Sequence, residues 1–384
     1  MKPGDVSLDF DWGSAPAMSG EGLRLSYVLP IRRGEFVPDG ELEGYLRMLS
    51  SWVDDLVVVD GSPRPVRSQH ARAWGHLVRH LAPDPLHEFL NGKVNGVLTG
   101  LAGARNESVV IADDDVRYTP AELKRIAELL ERGHLVRPQN YFYPLPWHAK
   151  WDTARTLINR AVGADYPGTL AVRRSFLDGV GGYDGDVLFE NLEMIRTVRA
   201  AGGTIVDAPD LFVRRIPPTA GHFVSQRIRQ AYDDFSLPIR FAVELALGPA
   251  IAVAVLRRRL WALAAGAVGA VALAEWGRRR AGGRAVFAAS TSAFAPAWVI
   301  ERAACVWGAI ALRAVRGGVP YAGGVLRRAA TSERRLRARM QGASLTNVVS
   351  VGRRVESKGA GRPAASRSGK RRGARRVPGS SKDR

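Results

Sequence analysis

The 384-residue chain is 46% apolar and carries a formal net charge of +19. An apolar fraction of this size fills a substantial core, which excludes disorder throughout the chain. Residues 325–384 hold 18 Lys and Arg against 3 Asp and Glu, so they account for +15 of the charge and leave +4 for the rest. The charge therefore belongs mainly to a Gly- and Ser-rich segment that cannot bury enough apolar surface to fold. The single cysteine, Cys305, excludes an intrachain disulfide and a cysteine-built metal site.

Short β-branched runs alternate with helical patterns in the first part of the chain. LRLSYVLPI (residues 23–31), DDLVVVDGS (54–62) and SVVIADDD (108–115) have the composition of buried parallel strands. Helices are predicted between them, over ELEGYLRMLSSWV and over residues 88–101. This βαβ pattern predicts an open, mostly parallel sheet that binds ligands at the carboxyl ends of its strands.

Two further helices and a strand follow. TPAELKRIAELLERG begins with a Thr cap and a Pro in the first turn and ends at Gly133, which predicts a helix. FENLEMIRTVRAAGG predicts an amphipathic helix that ends at Gly202, and the strand TIVDAPDLFVRR comes next.

Three apolar segments follow Pro238, at residues 241–256, 260–276 and 285–312, and Arg clusters separate them. Only the third has spanning length, and Pro296 and a Glu-Arg pair interrupt it. Basic groups at both ends of the second conflict with a simple crossing. Helices that lie in the membrane interface, with one hairpin dipping in, are therefore favoured over three full spans, and a soluble helical subdomain is the alternative.

Composition predicts four regions along the chain. They are a flexible leader (1–22), an α/β domain (23–238), a hydrophobic, membrane-associated helical region (239–324) and a basic, largely disordered tail (325–384). The tail is expected to attach the protein to anionic lipid at a membrane surface.

The stretch VVIADDDVRYTP places Asp113, Asp114 and Asp115 at the end of a predicted strand. Because adjacent strand residues face opposite ways, Asp113 and Asp115 share one side. Two carboxylates this close repel each other unless a cation lies between them, and Mg²⁺ or Mn²⁺ completed by substrate phosphates fits this chemistry. A solvated acidic turn that caps the next helix is the alternative.

Over residues 23–235 the chain resembles glycosyltransferase family 2, the inverting nucleotide-sugar transferases of GT-A fold. YVLPIRRG is similar to the first strand of that family, VVVDGSP to its VVVDDGS strand, and NGKVNGVLTGLAGARNESVVIADDDV to its Gly-Lys-Asn run, helix and DxD strand. The resemblance implies a Rossmann-like open, mostly parallel sheet with flanking helices, and Mg²⁺ or Mn²⁺ on Asp115. The substrate-binding residues that it implies on the donor side are Pro30, Arg32, Asp60, Lys93, Asn95, Asp113 and Asp114.

The segment GVGGYDGDVLFENLEMIRTVRAAGG resembles the part of the family that carries Glu-Asp before a helix, where the Asp is the catalytic base. Asn191 stands at the Asp position here, and an amide cannot take a proton from a hydroxyl. The resemblance therefore moves the role to Glu190 or Glu193, which share a helix face. The alternative is that both are ordinary helix-surface acids.

The segment SQRIRQAYDDF resembles the Gln-x-x-Arg-Trp motif of membrane-linked members, with Gln226 and Arg229 in place and Gln230 at the Trp position. Arg229 would neutralise the leaving diphosphate. His222 is a candidate to complete the metal shell, although a lone His is more often structural. RGGVPYAGGVL (316–326) loosely resembles the segment after the hydrophobic helices of ceramide- and hopanoid-type transferases, which implies a lipid acceptor or one delivered at the membrane.

The prediction is a metal-dependent inverting glycosyltransferase on the cytoplasmic side of the cell membrane. It would move a sugar from a nucleotide-diphosphate donor, expected to be UDP-linked, to a hydroxyl of a lipid or glycan acceptor, with no nucleic-acid partner. Because Asn191 replaces the base, a catalytically lapsed, membrane-tethered binding or scaffold protein is the main alternative. Nucleic-acid binding through the Arg-rich tail and nucleotidyl transfer are further alternatives.

Overall fold

The computed structural model describes residues 22–341. The predicted leader and residues 342–384 of the predicted tail lie outside the described residues, so their flexibility stays a prediction.

An eight-stranded sheet organises the first part of the described chain. In chain order the strands are β1 (Leu23–Ile31), β2 (Val53–Asp60), β3 (Arg79–Leu81), β4 (Ser108–Ala112), β5 (Val116–Arg117), β6 (Leu135–Phe142), β7 (Thr169–Arg173) and β8 (Ile205–Arg215). Their spatial order is β3-β2-β1-β4-β7-β6-β8-β5. The β1–β2, β2–β3, β1–β4 and β6–β8 pairs are parallel, whereas β7 is antiparallel to both of its neighbours and β5 is antiparallel to β8. The predicted fold class, an open and mostly parallel α/β sheet, is confirmed.

Helices cover both faces of this sheet. The flanking helices are α1 (Gly40–Trp52), α2 (Arg64–Trp74), α3 (Gly92–Gly103), α4 (Pro120–Leu130), α5 (Trp147–Val162), α6 (Arg174–Gly179), α7 (Glu190–Ala200), α8 (Ala220–Ser225) and α9 (Arg227–Asp233). Alternate residues of β1 enter two separate cores, with Tyr27 in the core beneath α1 and α4 and Val28 in the core beneath α3 and α7.

Local signals in the sequence fix several helix ends. Thr119 and Glu122 form a reciprocal capping box at the start of α4, with Pro120 in the first turn. Beyond the end of α7, Gly202 has a φ of +83°, a conformation that glycine adopts without strain. Both predicted helices are therefore confirmed.

Three apolar helices follow the sheet: α10 (Pro238–Leu256), α11 (Leu260–Arg279) and α12 (Ala295–Arg316), with 3₁₀ turns between the last two. Counting these turns, the segments contain 19, 26 and 28 residues and are long and apolar enough to cross a membrane. The expectation that only the third has spanning length is therefore wrong. The first helix begins earlier, at Pro238, and the second continues past residue 276 because Arg278 and Arg279 both bind Glu275 one turn back.

The apolar helices pack directly on the α/β part. The buried Arg160 of α5 donates to the carbonyl oxygens of Gly277 (3.2 Å) and Arg280 (2.6 Å). Where α11 crosses α5, a Cβ on Gly277 would lie 1.8 Å from the Leu157 carbonyl oxygen, so only glycine permits this approach.

The chain then returns to the sheet through a hairpin of β9 (Val319–Tyr321) and β10 (Gly324–Leu326). Leu326 and Ala329 are buried, and the Phe189 amide donates to the Ala329 carbonyl at 2.8 Å. The folded part thus continues beyond the predicted boundary at residue 324.

Substitution Gly277→Ala is expected to lower the free energy of unfolding by about 1–3 kcal/mol, because the added methyl group overpacks the α11–α5 contact. The matched control is Gly269→Ala in the same helix, where a Cβ meets no atom within 4 Å and helix propensity favours Ala. Thermal unfolding of both variants in detergent measures the difference. Equal melting temperatures would contradict the packing described here.

Candidate active site

The acidic triplet lies at the carboxyl edge of the sheet, against the end of β8. Val116 pairs with Arg215 in the β5–β8 ladder, and the Ile216 amide donates to the Asp115 carbonyl at 2.8 Å. The Asp113 amide donates to the Gly168 carbonyl at 2.9 Å. Backbone pairing therefore sets where these carboxylates face.

The guanidinium of Arg215 bridges two of the three carboxylates. Its Nε lies 3.0 and 2.9 Å from the two oxygens of Asp115, and Nη2 lies 3.3 Å from Asp113 Oδ2. A Cβ on Gly168 would come within 2.7 Å of Asp113 Oδ2 and 2.9 Å of Arg215, so only glycine leaves room for the bridge. Asp114, in the turn between β4 and β5, instead contacts Arg33 at 3.4 Å.

Lys93, near the start of α3, connects the triplet to α7. Its Nζ lies 2.6 Å from Asp113 Oδ1 and 2.5 Å from Glu190 Oε1. Burial alone would raise the pKa of Asp113, but Lys93 and then Arg215 lower it below its ordinary value. Burial raises the pKa of Glu190, against the opposing effect of Lys93. Three carboxylates are thus held together by two cations.

The two candidate bases have different surroundings. Glu190 is 8% exposed, and its Oε2 is buried without a hydrogen-bond partner in the structure. Glu193 is fully buried, and its Oε2 accepts from the Thr331 amide at 2.5 Å, which ties α7 to the chain after β10. Its Oε1 is also buried without a hydrogen-bond partner. The difference between the two is that Glu190 contacts Lys93 and, through it, the acidic triplet, whereas Glu193 faces the chain after β10.

Asn191 has a structural partner that explains its amide. Its Nδ2 donates to the Pro167 carbonyl at 2.9 Å, one residue before the Gly168 that borders the Arg215 bridge. A carboxylate at this position would place one acceptor against another.

Two of the residues predicted to bind the nucleotide, Asp60 and Asn95, make internal contacts. Asp60 is buried, with Oδ2 2.7 Å from His70 Nδ1 and 3.1 Å from His80 Nε2, while Oδ1 accepts from the Ser62 amide at 2.9 Å. Burial opposes these hydrogen bonds, which together lower the pKa of Asp60. Asn95 binds both the amide and the carbonyl of Phe89.

Pro30 and Arg32, which are also predicted to contact the nucleotide, lie near the start of α3. Pro30 packs closely against Gly96 of α3, where an added Cβ would lie 2.9 Å from the Pro30 Cβ. Arg32 reaches the first turn of α3, with Nη1 3.7 Å from the position of a Cβ on Gly92. The donor-binding roles of all these residues stay predictions.

A cavity of about 270 Å³ opens beside the Arg215 bridge. Arg229 donates to Gln226 Oε1 at 3.3 Å and lies over the Tyr321 ring at 5.1 Å, and it makes no ion pair within the described part of the chain. His222 and Asp115 both line this cavity. Arg155, Arg215, Arg227 and Arg229 line this cavity together with the carboxyl groups of Asp115, Asp152 and Asp233. Arg155, Arg215 and Arg227 each pair with a carboxylate, so Arg229 is the group best placed to bind an anionic ligand.

The residues predicted to hold Mg²⁺ or Mn²⁺ do not fit a dication as the structure arranges them. Both oxygens of Asp115 face Arg215, and the oxygens of Asp113 are divided between Lys93 and Arg215. Across residues 22–341, no group of three His, Cys, Asp or Glu side chains is placed to hold a metal ion. His222 lines the same cavity as Asp115 but forms no such group with it.

Arg215 is the functional candidate that the sequence interpretation missed. The signal was an Arg-Arg pair at the end of the predicted strand TIVDAPDLFVRR, at the edge where ligands bind in an open α/β sheet. What could not be predicted was the pairing of this strand with the short β5 that follows the triplet.

Comparison with protein-family models finds no match, and comparison with curated protein sequences finds none. Among solved structures, a mannosyltransferase from Pyrobaculum calidifontis in complex with GDP-Man and Mn²⁺ is 20% identical, with a TM-score of 0.48, over 77% of this chain and 91% of that chain. Glucosyl-3-phosphoglycerate synthase of Mycobacterium tuberculosis is 20% identical, with a TM-score of 0.36, over 54% and 77%.

The TarS fragment 1–349 of S. aureus, in complex with UDP-GlcNAc, is 12% identical, with a TM-score of 0.36, over 52% of this chain and 60% of that chain. Two of these three structures contain a nucleotide sugar. At these identities and TM-scores, the likenesses carry no argument about the activity, the donor or the metal of this chain.

Asp233 supplies a pH-dependent prediction. Its Oδ1 is buried without a partner, and burial followed by the neighbouring Asp234 raises its pKa to about 8. Because the folded state binds this proton more tightly than the unfolded state, stability is lost as pH rises from about 4 towards 8. Asp233→Asn should therefore gain melting temperature relative to the unmodified protein as pH rises through this window. A constant difference between pH 5 and pH 8 would contradict the buried, protonated carboxyl.

Proposed function

We propose that the protein transfers a glycosyl group from a nucleotide-diphosphate sugar to a hydroxyl of a lipid or membrane-delivered glycan. One observation carries the proposal. A buried carboxylate with an unpartnered oxygen, Glu190, is joined through Lys93 to the triplet beside an arginine-lined cavity. This arrangement supports a proton acceptor and an anion site at the same edge of the sheet.

The acceptor hydroxyl oxygen attacks the anomeric carbon from the face opposite the diphosphate. The bond from that carbon to the diphosphate breaks with its electron pair, the hydroxyl proton passes to Glu190 Oε2, and the product has inverted configuration. A carboxylate whose pKa is raised by burial is the better base near neutral pH. Arg229 stabilises the charge that develops on the leaving diphosphate. The UDP-linked donor stays part of the proposal, but metal dependence does not, because Arg215 occupies the carboxylates that would bind the metal.

A lipid acceptor is supported by a chamber of about 810 Å³ between the α/β part and the apolar helices. This volume lies in the usual range for small-molecule sites. Arg240 lies at one end of the chamber. Its lining is mainly apolar and includes Ile158, Leu192, Ile195, Val243, Leu247 and Leu273.

A smaller cavity of about 150 Å³ lies between the chamber and the arginine-lined cavity. It shares Arg240 and Leu237 with the chamber, and Arg155 and Arg215 with the arginine-lined cavity. Arg302, 1% exposed, also lines it, and its Nη2 has no acceptor in the structure. A lipid chain in the chamber would therefore carry an oxygen-bearing headgroup towards the donor site. Attachment to the membrane is proposed through the apolar helices, with the catalytic part facing the cytoplasm and the basic tail on anionic lipid.

Glu190→Gln should lower kcat by about 100- to 10,000-fold, because the amide cannot accept the hydroxyl proton. The assay incubates the protein in membrane-lipid extract with a panel of nucleotide sugars and measures the nucleoside diphosphate released and the sugar incorporated into lipid. The matched control is Glu128→Gln, an exposed carboxylate of α4 that pairs with Arg125, and it should leave kcat unchanged. If Glu190→Gln turns over normally, the base lies elsewhere. If the unmodified protein releases nothing from any donor, the binding or scaffold alternative is favoured.

Gly266→Trp should reduce use of the lipid acceptor by at least about tenfold, because Gly266 lines the chamber and the indole would fill it. The Kd for the nucleoside diphosphate should stay within about twofold of the value for the unmodified protein. The matched control is Gly269→Trp, on the same helix, where a Cβ meets no atom within 4 Å and the residue does not line the chamber. Equal acceptor kinetics for the two variants would remove the chamber from the proposal.

A further inference from the structure

We propose that Arg215 takes the place of a divalent cation at this site, so that the nucleoside diphosphate is bound by guanidinium groups without Mg²⁺ or Mn²⁺. The inference rests on the proposed function for the identity of the ligand. The resemblance to glycosyltransferase family 2 gives no role to Arg215.

The contacts of Arg215 use the carboxylate oxygens that a dication would need. Nε faces both oxygens of Asp115, and Nη2 faces Asp113 at 3.3 Å. The other oxygen of Asp113 binds Lys93 at 2.6 Å. A dication on Asp115 would have to displace a guanidinium held by two carboxylates and would then lie beside two cations. The charge that the metal would neutralise is already neutralised by the chain.

The position of Arg215 is set by backbone pairing, which distinguishes it from a mobile surface arginine. It stands opposite Val116 in the β5–β8 ladder, directly after the triplet. The Ile216 amide then closes onto the Asp115 carbonyl. Gly168 leaves the space into which the guanidinium fits. The sheet therefore delivers this side chain to the carboxylates whenever the domain is folded.

Arg229 supplies the anion-binding group of the cavity. It has no carboxylate partner within 4 Å among residues 22–341, whereas Arg155 and Arg227 both pair with Asp152, and it lies on the same cavity as the Arg215 bridge. Guanidinium groups bind phosphate oxygens in a bidentate manner and keep their charge at any physiological pH. Arg229 can therefore bind the diphosphate, while Arg215 keeps Asp113 and Asp115 from repelling it.

The test measures binding of UDP and GDP to the full chain in detergent by isothermal titration calorimetry, in EDTA and in Mn²⁺. It also measures Mn²⁺ binding alone by electron paramagnetic resonance. The unmodified protein should bind one of the nucleotides with a Kd that differs by less than about threefold between the two buffers. Mn²⁺ alone should show no stoichiometric site.

Arg215→Ala should reverse this behaviour, because it frees Asp113 and Asp115. Nucleotide binding in EDTA should fall at least tenfold, Mn²⁺ should restore it, and a stoichiometric Mn²⁺ site should appear. Arg215→Lys tests the same point if the alanine variant does not fold, since one ammonium cannot contact both carboxylates as the guanidinium does. Arg214→Ala is the matched control, because its guanidinium donates to the Tyr143 carbonyl and lies over the Tyr143 ring. It should change neither measurement.

Stoichiometric Mn²⁺ on the unmodified protein, lost in Asp115→Asn, would overturn the inference and leave the proposed function standing. Nucleotide binding that disappears in EDTA would do the same. A protein that binds neither nucleotide in either buffer and binds no Mn²⁺ would instead overturn the proposed function, together with the ligand assigned to Arg215.

Discussion

The structure depends on the neutralisation of three carboxylates at one edge of a sheet. Asp113, Asp115 and Glu190 lie together only because Lys93 and Arg215 lie between them. Partly buried charges in such a group are costly unless each is paired. The two cations come from α3 and β8, and Glu190 comes from α7, so a single ionic cluster fixes the relative positions of elements that are far apart in sequence.

Ionic pairing also joins the α/β part to the apolar helices. Arg302 of α12 and Arg240 of α10 both contact Asp234, just after α9. Arg227 of α9 contacts both Asp152 of α5 and Glu301 of α12. These ion pairs lie beside the three cavities described above: the arginine-lined cavity, the smaller cavity next to it and the apolar chamber. The same charges that hold the helices on the domain therefore line the proposed route from lipid to donor.

Much of the fold could be predicted from local patterns. The strand at Leu23–Ile31, the capped helix after Thr119 and the acidic triplet at a strand end all follow from residue type and spacing. The neutralising partner of the triplet could not, because Arg215 is a hundred residues away and reaches it through the pairing of β5 with β8. The role of Asn191 was hidden for the same reason, since its partner is the carbonyl of Pro167 on another segment. The length of the second apolar helix could not be predicted either. The Arg cluster after residue 276 was expected to separate two apolar segments, but two of its arginines pair with Glu275 and extend the helix.

Arg215 is proposed to replace a dication beside the donor diphosphate. An experimental structure of the full chain with UDP or GDP and Mn²⁺, with anomalous scattering recorded at the manganese edge, tests this role. We expect diphosphate density against Arg229, Arg215 still bridging Asp113 and Asp115, and no anomalous peak at Asp115. A manganese peak on Asp115, with Arg215 displaced from it, would overturn the proposed role of Arg215.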